Sequence, residues 1–101
     1  MSQKQLIEYK VPKQAKEILV CAYIETGGNG HSNQSFEIVF DSLGVYKYKH
    51  YMFGHTFDQS AWSYNSEQFS MPVSDSKSMA AVITGGSKGN NGLTLFLIAY
   101  R

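Results

Sequence analysis

The chain has 101 residues, room for one domain built around one hydrophobic core. Nine basic and eight acidic residues leave a formal net charge of +1. That balance excludes the sustained positive field that tracks a phosphate backbone, and an apolar fraction of 43% with only 17% charged residues excludes intrinsic disorder.

From Met1 to Lys10 the chain is polar, without the apolar stretch of a secretory signal, and no window approaches a membrane span. The chain as given is expected to be soluble; its compartment stays open, with extracellular favoured over cytoplasmic. Leu6 to Val11 alternates as a strand would, setting Leu6, Glu8 and Lys10 against Ile7, Tyr9 and Val11. Lys10, Lys13 and Lys16 are interrupted by Pro12 and Glu17 and read as a solvated loop. A second strand spans Glu17 to Glu25. Its apolar run from Ile18 to Ile24 suits a central strand, or one covered on both sides. Cys21 lies in that run and is expected to be a small buried hydrophobe. As the only cysteine it excludes an internal disulfide and a multi-thiolate zinc site.

The glycine-rich segment Gly27 to Gln34 reads as a hairpin-type connection, followed by a strand from Ser35 to Phe40. Val45 to Phe53 alternates again, with Val45, Lys47, Lys49 and Tyr51 expected in water and Tyr46, Tyr48, His50 and Met52 on the other face. His50 is read there as a satisfied histidine in an aromatic face. Gly54 to Glu67 is the longest stretch without a strand pattern, and a loop of that length is commonly functional. Further strands are expected over Gln68 to Val73, Ser78 to Thr84 and Leu93 to Tyr100, the last another nearly continuous apolar run. Pro12 and Pro72 punctuate strand ends. The loop Gly85 to Gly89 loosely echoes the glycine segment after Ile24. Together these segments predict an all-β fold: an antiparallel, jelly-roll-like β-sandwich of about six to eight strands in a single domain, 1–101.

Aromatic residues make up 14% of the chain, an excess that favours amphipathic contact surfaces. In Gly54 to Glu67 rings alternate with short polar side chains, a mixture suited to a sugar. The apolar C–H face of a sugar stacks on a ring, while amides, carboxylates and imidazoles bind its hydroxyls. Trp62 or Tyr64 would form the platform, with His55, Asp58, Gln59 and Asn65 as hydrogen-bonding groups. Alternatively, Trp62 and Phe57 plug the end of the sandwich and the polar groups cap turns. A second patch is expected at Asn29 and His31, with Ser87, Lys88, Gly89, Asn90 and Asn91 as neighbours. No helix follows either glycine loop, so neither is a phosphate loop. The three histidines lack a metal-ligating spacing, and no nucleophile with its base or paired acids can be read. No metal, cofactor or catalytic residue is therefore expected.

In size, all-β pattern and closing strand Leu93-Thr94-Leu95-Phe96-Leu97-Ile98-Ala99-Tyr100, the chain resembles small invertebrate β-sandwich lectins, especially the H-type lectins of snails and corals. The resemblance implies a six- or seven-stranded sandwich, a homo-oligomer such as a trimer or hexamer, and galactose-type glycans bound near subunit boundaries; it carries no site residue. Tyr9 to Val20 and the ending Ile98 to Arg101 are also similar to globular modules that follow collagen-like repeats in marine invertebrates, which implies a structural or adhesive module that assembles with copies of itself.

Overall fold

The computed structural model describes residues 2–85 and 90–101, and among them every regular element is a strand. In chain order these are β1 (Ser2–Glu8), β2 (Glu17–Gly27), β3 (Gln34–Asp41), β4 (Lys49–Thr56), β5 (Trp62–Pro72), β6 (Ser78–Gly85) and β7 (Asn90–Tyr100). They form two antiparallel sheets, a four-stranded one ordered β1-β6-β3-β4 and a three-stranded one ordered β5-β2-β7. Only β3 and β4 are consecutive strands paired in the same sheet; every other connection crosses to the opposite layer, which ties the two sheets into one sandwich.

Alternation decides what fills the space between the sheets. On β2 the even-numbered residues Ile18, Val20, Ala22, Ile24 and Thr26 point inward and are buried, while the odd-numbered ones face out. They meet Phe36, Ile38 and Phe40 of β3, Met52 of β4, Phe69 and Met71 of β5, and Met79 and Ala81 of β6. Phe40 and Phe69 close the middle of this core, with ring centroids 5.3 Å apart.

The run Ile18 to Ile24 does occupy the central strand of its sheet, but Cys21 is on the outward parity and only half-buried, which corrects its expected place in the core. The equally apolar run on β7 is an edge strand: Leu93 and Leu95 pack on the core, whereas Phe96, Ile98 and Tyr100 are exposed. At Ile98 the register with β2 slips, Leu19 pairing with Ala99 and Val20 with Leu97, so Ile98 forms a bulge.

Two expected boundaries move. Val45 to Tyr48 is not strand, and Tyr46 is exposed rather than turned inward. Leu43 takes a positive φ of 63°, and Ser42 Oγ donates to the Tyr46 carbonyl at 3.2 Å while accepting from the Tyr48 amide at 3.0 Å, holding a bend. The expected loop Gly54 to Glu67 is mostly strand. Gly54 to Thr56 finish β4, Trp62 to Glu67 begin β5, and only residues 57–61 connect them. The expected neighbour patch at Ser87, Lys88 and Gly89 lies outside the described residues. No helix of the described residues is long and apolar enough to cross a membrane.

Candidate functional site

The connections β2–β3 and β4–β5 meet at one end of the sandwich through backbone hydrogen bonds. Gly28 N donates to Ala61 O at 3.0 Å, Gly30 N to Gln59 O at 2.9 Å and Asn33 N to Phe57 O at 3.3 Å. This pairing needs a glycine at 28, since a Cβ there would sit 2.5 Å from the Gln59 carbonyl oxygen and 2.6 Å from that of Asp58. Asn29, at a left-handed φ of 50°, and His31 thereby come to the same exposed rim as Asp58 and Gln59. The Asp58 carboxylate is occupied locally, its Oδ1 accepting from Ser60 N at 3.1 Å and from Ser60 Oγ at 3.4 Å.

Beside this rim, Trp62 and Tyr64 project from the outer face of the β5-β2-β7 sheet, 49% and 61% exposed. Trp62 pairs with Gly27, and a Cβ added to Gly27 would lie 2.8–2.9 Å from three successive carbons of the indole's six-membered ring. Near-equal distances to neighbouring ring atoms put that point over the ring's face, so the indole lies flat on the sheet where the glycine leaves room. Tyr64 lies within 15° of the indole plane at a centroid distance of 6.4 Å, and Tyr23 of β2 within 25° of Tyr64 at 6.1 Å. The three rings follow one another on the outer face with neighbouring planes near parallel, Trp62 and Tyr64 exposed and Tyr23 half-buried. Glu25 lies across Gly92, where a Cβ would meet its carboxylate at 2.8 Å. Burial pushes the Tyr23 phenol above its ordinary range, with Glu25 and then Tyr64 adding to the shift.

The remaining sequence-predicted residues go elsewhere. His55 is on the outer face of the other sheet, in an aromatic row with Phe53, centroid distance 6.2 Å, and Phe57, 4.5 Å edge-on. It therefore looks away from the Trp62 platform. Asn65 has the inward parity of β5 and braces the seam between sheets, donating to Phe53 O at 3.5 Å and to Glu67 Oε2 at 3.3 Å. Along that seam His50 Nε2 meets Glu67 Oε1 at 2.7 Å, its Nδ1 meets the Tyr48 hydroxyl at 3.3 Å, and its ring stacks on Phe69 at 4.0 Å and 10°. His50 is thus satisfied within an aromatic face, and Glu67, a candidate acid by residue type, is engaged as its partner. His55, Asp58 and Glu67 occupy three different faces, and no group of three metal-ligating side chains exists among the described residues.

Sequence reasoning missed Tyr23, Gly27 and the His50–Glu67 link. A signal for Tyr23 was present: it has the opposite parity to Ile18, Val20, Ala22 and Ile24, so it could not share their face. At the far end of the same sheet, Glu17, Ser70, Tyr100 and Arg101 line a shallow concavity of about 250 Å³. There Arg101 donates to both Glu17 carboxylate oxygens at 3.2 and 3.3 Å and, with a hydrogen bond from Ser70, holds that carboxyl below the usual range. No protein-family model matches the chain, and no curated protein matches it in sequence.

Proposed function

We propose that this chain is a non-enzymatic carbohydrate-binding module acting as a homo-oligomer, with the sugar seated on Trp62, Tyr64 and Tyr23. The observation that carries this reading is the run of near-parallel rings on the outer face of the sheet, with Trp62 and Tyr64 exposed. An indole lying on a glycine with its outer face open offers the surface that the C–H face of a pyranose covers. Gln59, Asn29 and His31 at the adjoining rim supply donors and acceptors for hydroxyls. Galactose-type glycans are the ligands suggested by the lectin resemblance.

Association of copies is supported by β7. This 11-residue edge strand carries exposed Leu97, Ile98 and Tyr100 and borders a mainly apolar groove of about 240 Å³ whose lining includes Ile7, Val20 and Leu95 together with Glu8 and Lys10. Shallow sugar sites are individually weak, and repeating them multiplies effective affinity. The same edge supports the second reading, a structural or adhesive module that assembles with itself and takes no small ligand.

Glycan-array binding with soluble-sugar competition, alongside mass measured against concentration, separates the two. The lectin-like module shows saturable, competable binding that Trp62→Ala weakens; self-association without any competing glycan leaves only the assembly module. Ile98→Lys, which places a charge on the β7 edge, returns the oligomer to monomer if that edge is the contact.

A further inference from the structure

The strand registers extend the platform beyond its three rings. On the outer face Trp62 pairs with Gly27, Tyr64 with Glu25, and Tyr23 with both Ser66 of β5 and Thr94 of β7. One step further along the same face Cys21 pairs with Gln68 and Phe96. Trp62 and Tyr64 on β5, Tyr23 on β2 and Phe96 on β7 therefore occupy four successive rows, the last two each displaced one strand toward β7. They form one oblique aromatic track across the sheet. Two residues per row and one strand spacing per sideways step give a track about 22 Å long. Phe96 is 58% exposed, matching Trp62 and Tyr64.

The groups flanking this track are short and mostly neutral: Ser66, Gln68, Cys21 and Thr94. Among the described outward side chains of the sheet the charges are Glu25 beside Tyr23 and, at the far end, Glu17 with its partner Arg101. The only charge along the track is thus negative, which disfavours an anionic polymer. A single sugar among Trp62, Tyr64 and Tyr23 would leave Phe96 unused, and the low flanks raise no wall to close a pocket around it.

We propose, building on the carbohydrate-binding reading, that the ligand is an extended, uncharged polysaccharide chain laid along Trp62, Tyr64, Tyr23 and Phe96, several units touching several rings at once. Multiple weak stacking contacts along one chain add as linked sites do, so affinity depends on ligand length.

The test is calorimetric titration of the intact chain with size-graded oligomers of neutral β-galactan and β-glucan, the corresponding monosaccharides, and a polyuronic acid as anionic control. Affinity for one neutral series rises with length and then levels off, is insensitive to salt, and exceeds that for the polyuronate. Phe96→Ala, an exposed position whose folding is checked by thermal melt, lowers long-chain affinity about tenfold while leaving the shortest ligands unchanged. Trp62→Ala lowers both. Equal affinity for one sugar and many, or an unchanged long-chain affinity in Phe96→Ala, overturns the extended track and leaves a one-sugar site in place. Salt-sensitive binding of the polyuronate alone overturns the neutral-ligand assignment. Failure to bind any carbohydrate overturns the track and the underlying reading together.

Discussion

Gly27→Ala isolates the feature on which the platform rests. The added methyl would lie 2.8 Å from the indole, against the roughly 3.5–4.0 Å at which carbon atoms meet, so the ring must rise by about 1 Å or swing away. The backbone itself does not resist, because Gly27 has no positive φ. Two stability effects then oppose each other. Alanine in a strand gains about 0.5–1 kcal/mol over glycine through the unfolded chain, and the disturbed ring contacts lose about 0.5–1.5 kcal/mol. The net change is within about 1 kcal/mol, a Tm shift no larger than about 4–8 °C for a domain of this size. Binding has no such compensation: a tilted indole breaks the level surface and weakens sugar affinity about tenfold. Trp62 is the only tryptophan, so its emission reports the ring's displacement directly. A variant with wild-type emission and wild-type affinity refutes the flat seating of the ring.

Thr26 and Thr56 are buried between the sheets, and neither hydroxyl oxygen meets a protein partner, so Thr26→Val or Thr56→Val raises stability by about 1 kcal/mol in chemical denaturation, and a loss of stability refutes the reasoning. His50→Ala removes the 2.7 Å link to Glu67 and uncovers the face of Phe69, lowering stability by about 1–3 kcal/mol; an unchanged denaturation midpoint shows that the seam contributes nothing. The lowered Glu17 carboxyl stabilises the fold at pH values above its ordinary 4.5, and that contribution disappears as pH falls through its depressed value in the folded state. Arg101→Ala should therefore melt below wild type at pH 7, with the gap narrowing as the pH is lowered below 4.5; a gap that does not narrow in acid contradicts the pairing.

The strands legible in the sequence were those whose inner face is apolar. Their content of apolar, β-branched and aromatic residues placed β2, β3 and β6 well, and Ile18, Val20, Phe36, Ile38, Met79 and Ala81 fill the core. Two similar apolar runs, on β2 and β7, carried no information about which would be central, since that depends on pairing rather than on composition; one has neighbours on both sides and the other on one. The start of β5 was read as loop for a physical reason. Its inward positions are Ser63, Asn65 and Glu67 and its outward ones Trp62 and Tyr64, the reverse of what a half-buried strand displays. Of the candidate site residues, Trp62, Tyr64, Gln59, Asn29 and His31 come to one end, while His55 and Asn65 are carried off by the parity of their strands.

That reversal carries the functional argument further than any single residue does. Folding alone would put the rings of β5 inside and its serine, asparagine and glutamate outside. Instead the interior at this end holds Thr26, Thr56 and Asn65, with two hydroxyls lacking protein partners, each at a cost of about 1–3 kcal/mol. The seam compensates in part, since Asn65, Glu67 and His50 satisfy one another and Phe69 supports the imidazole. Among the described residues nothing comparable covers the rings outside: Trp62, Tyr64 and Phe96 expose about half of their surface or more. Sequences keep to folding logic except where function demands otherwise. Here the departure runs along one strand and delivers its rings to the face that also carries Tyr23 and Phe96. A core requirement explains none of this, whereas the proposed ring-presenting surface would account for it.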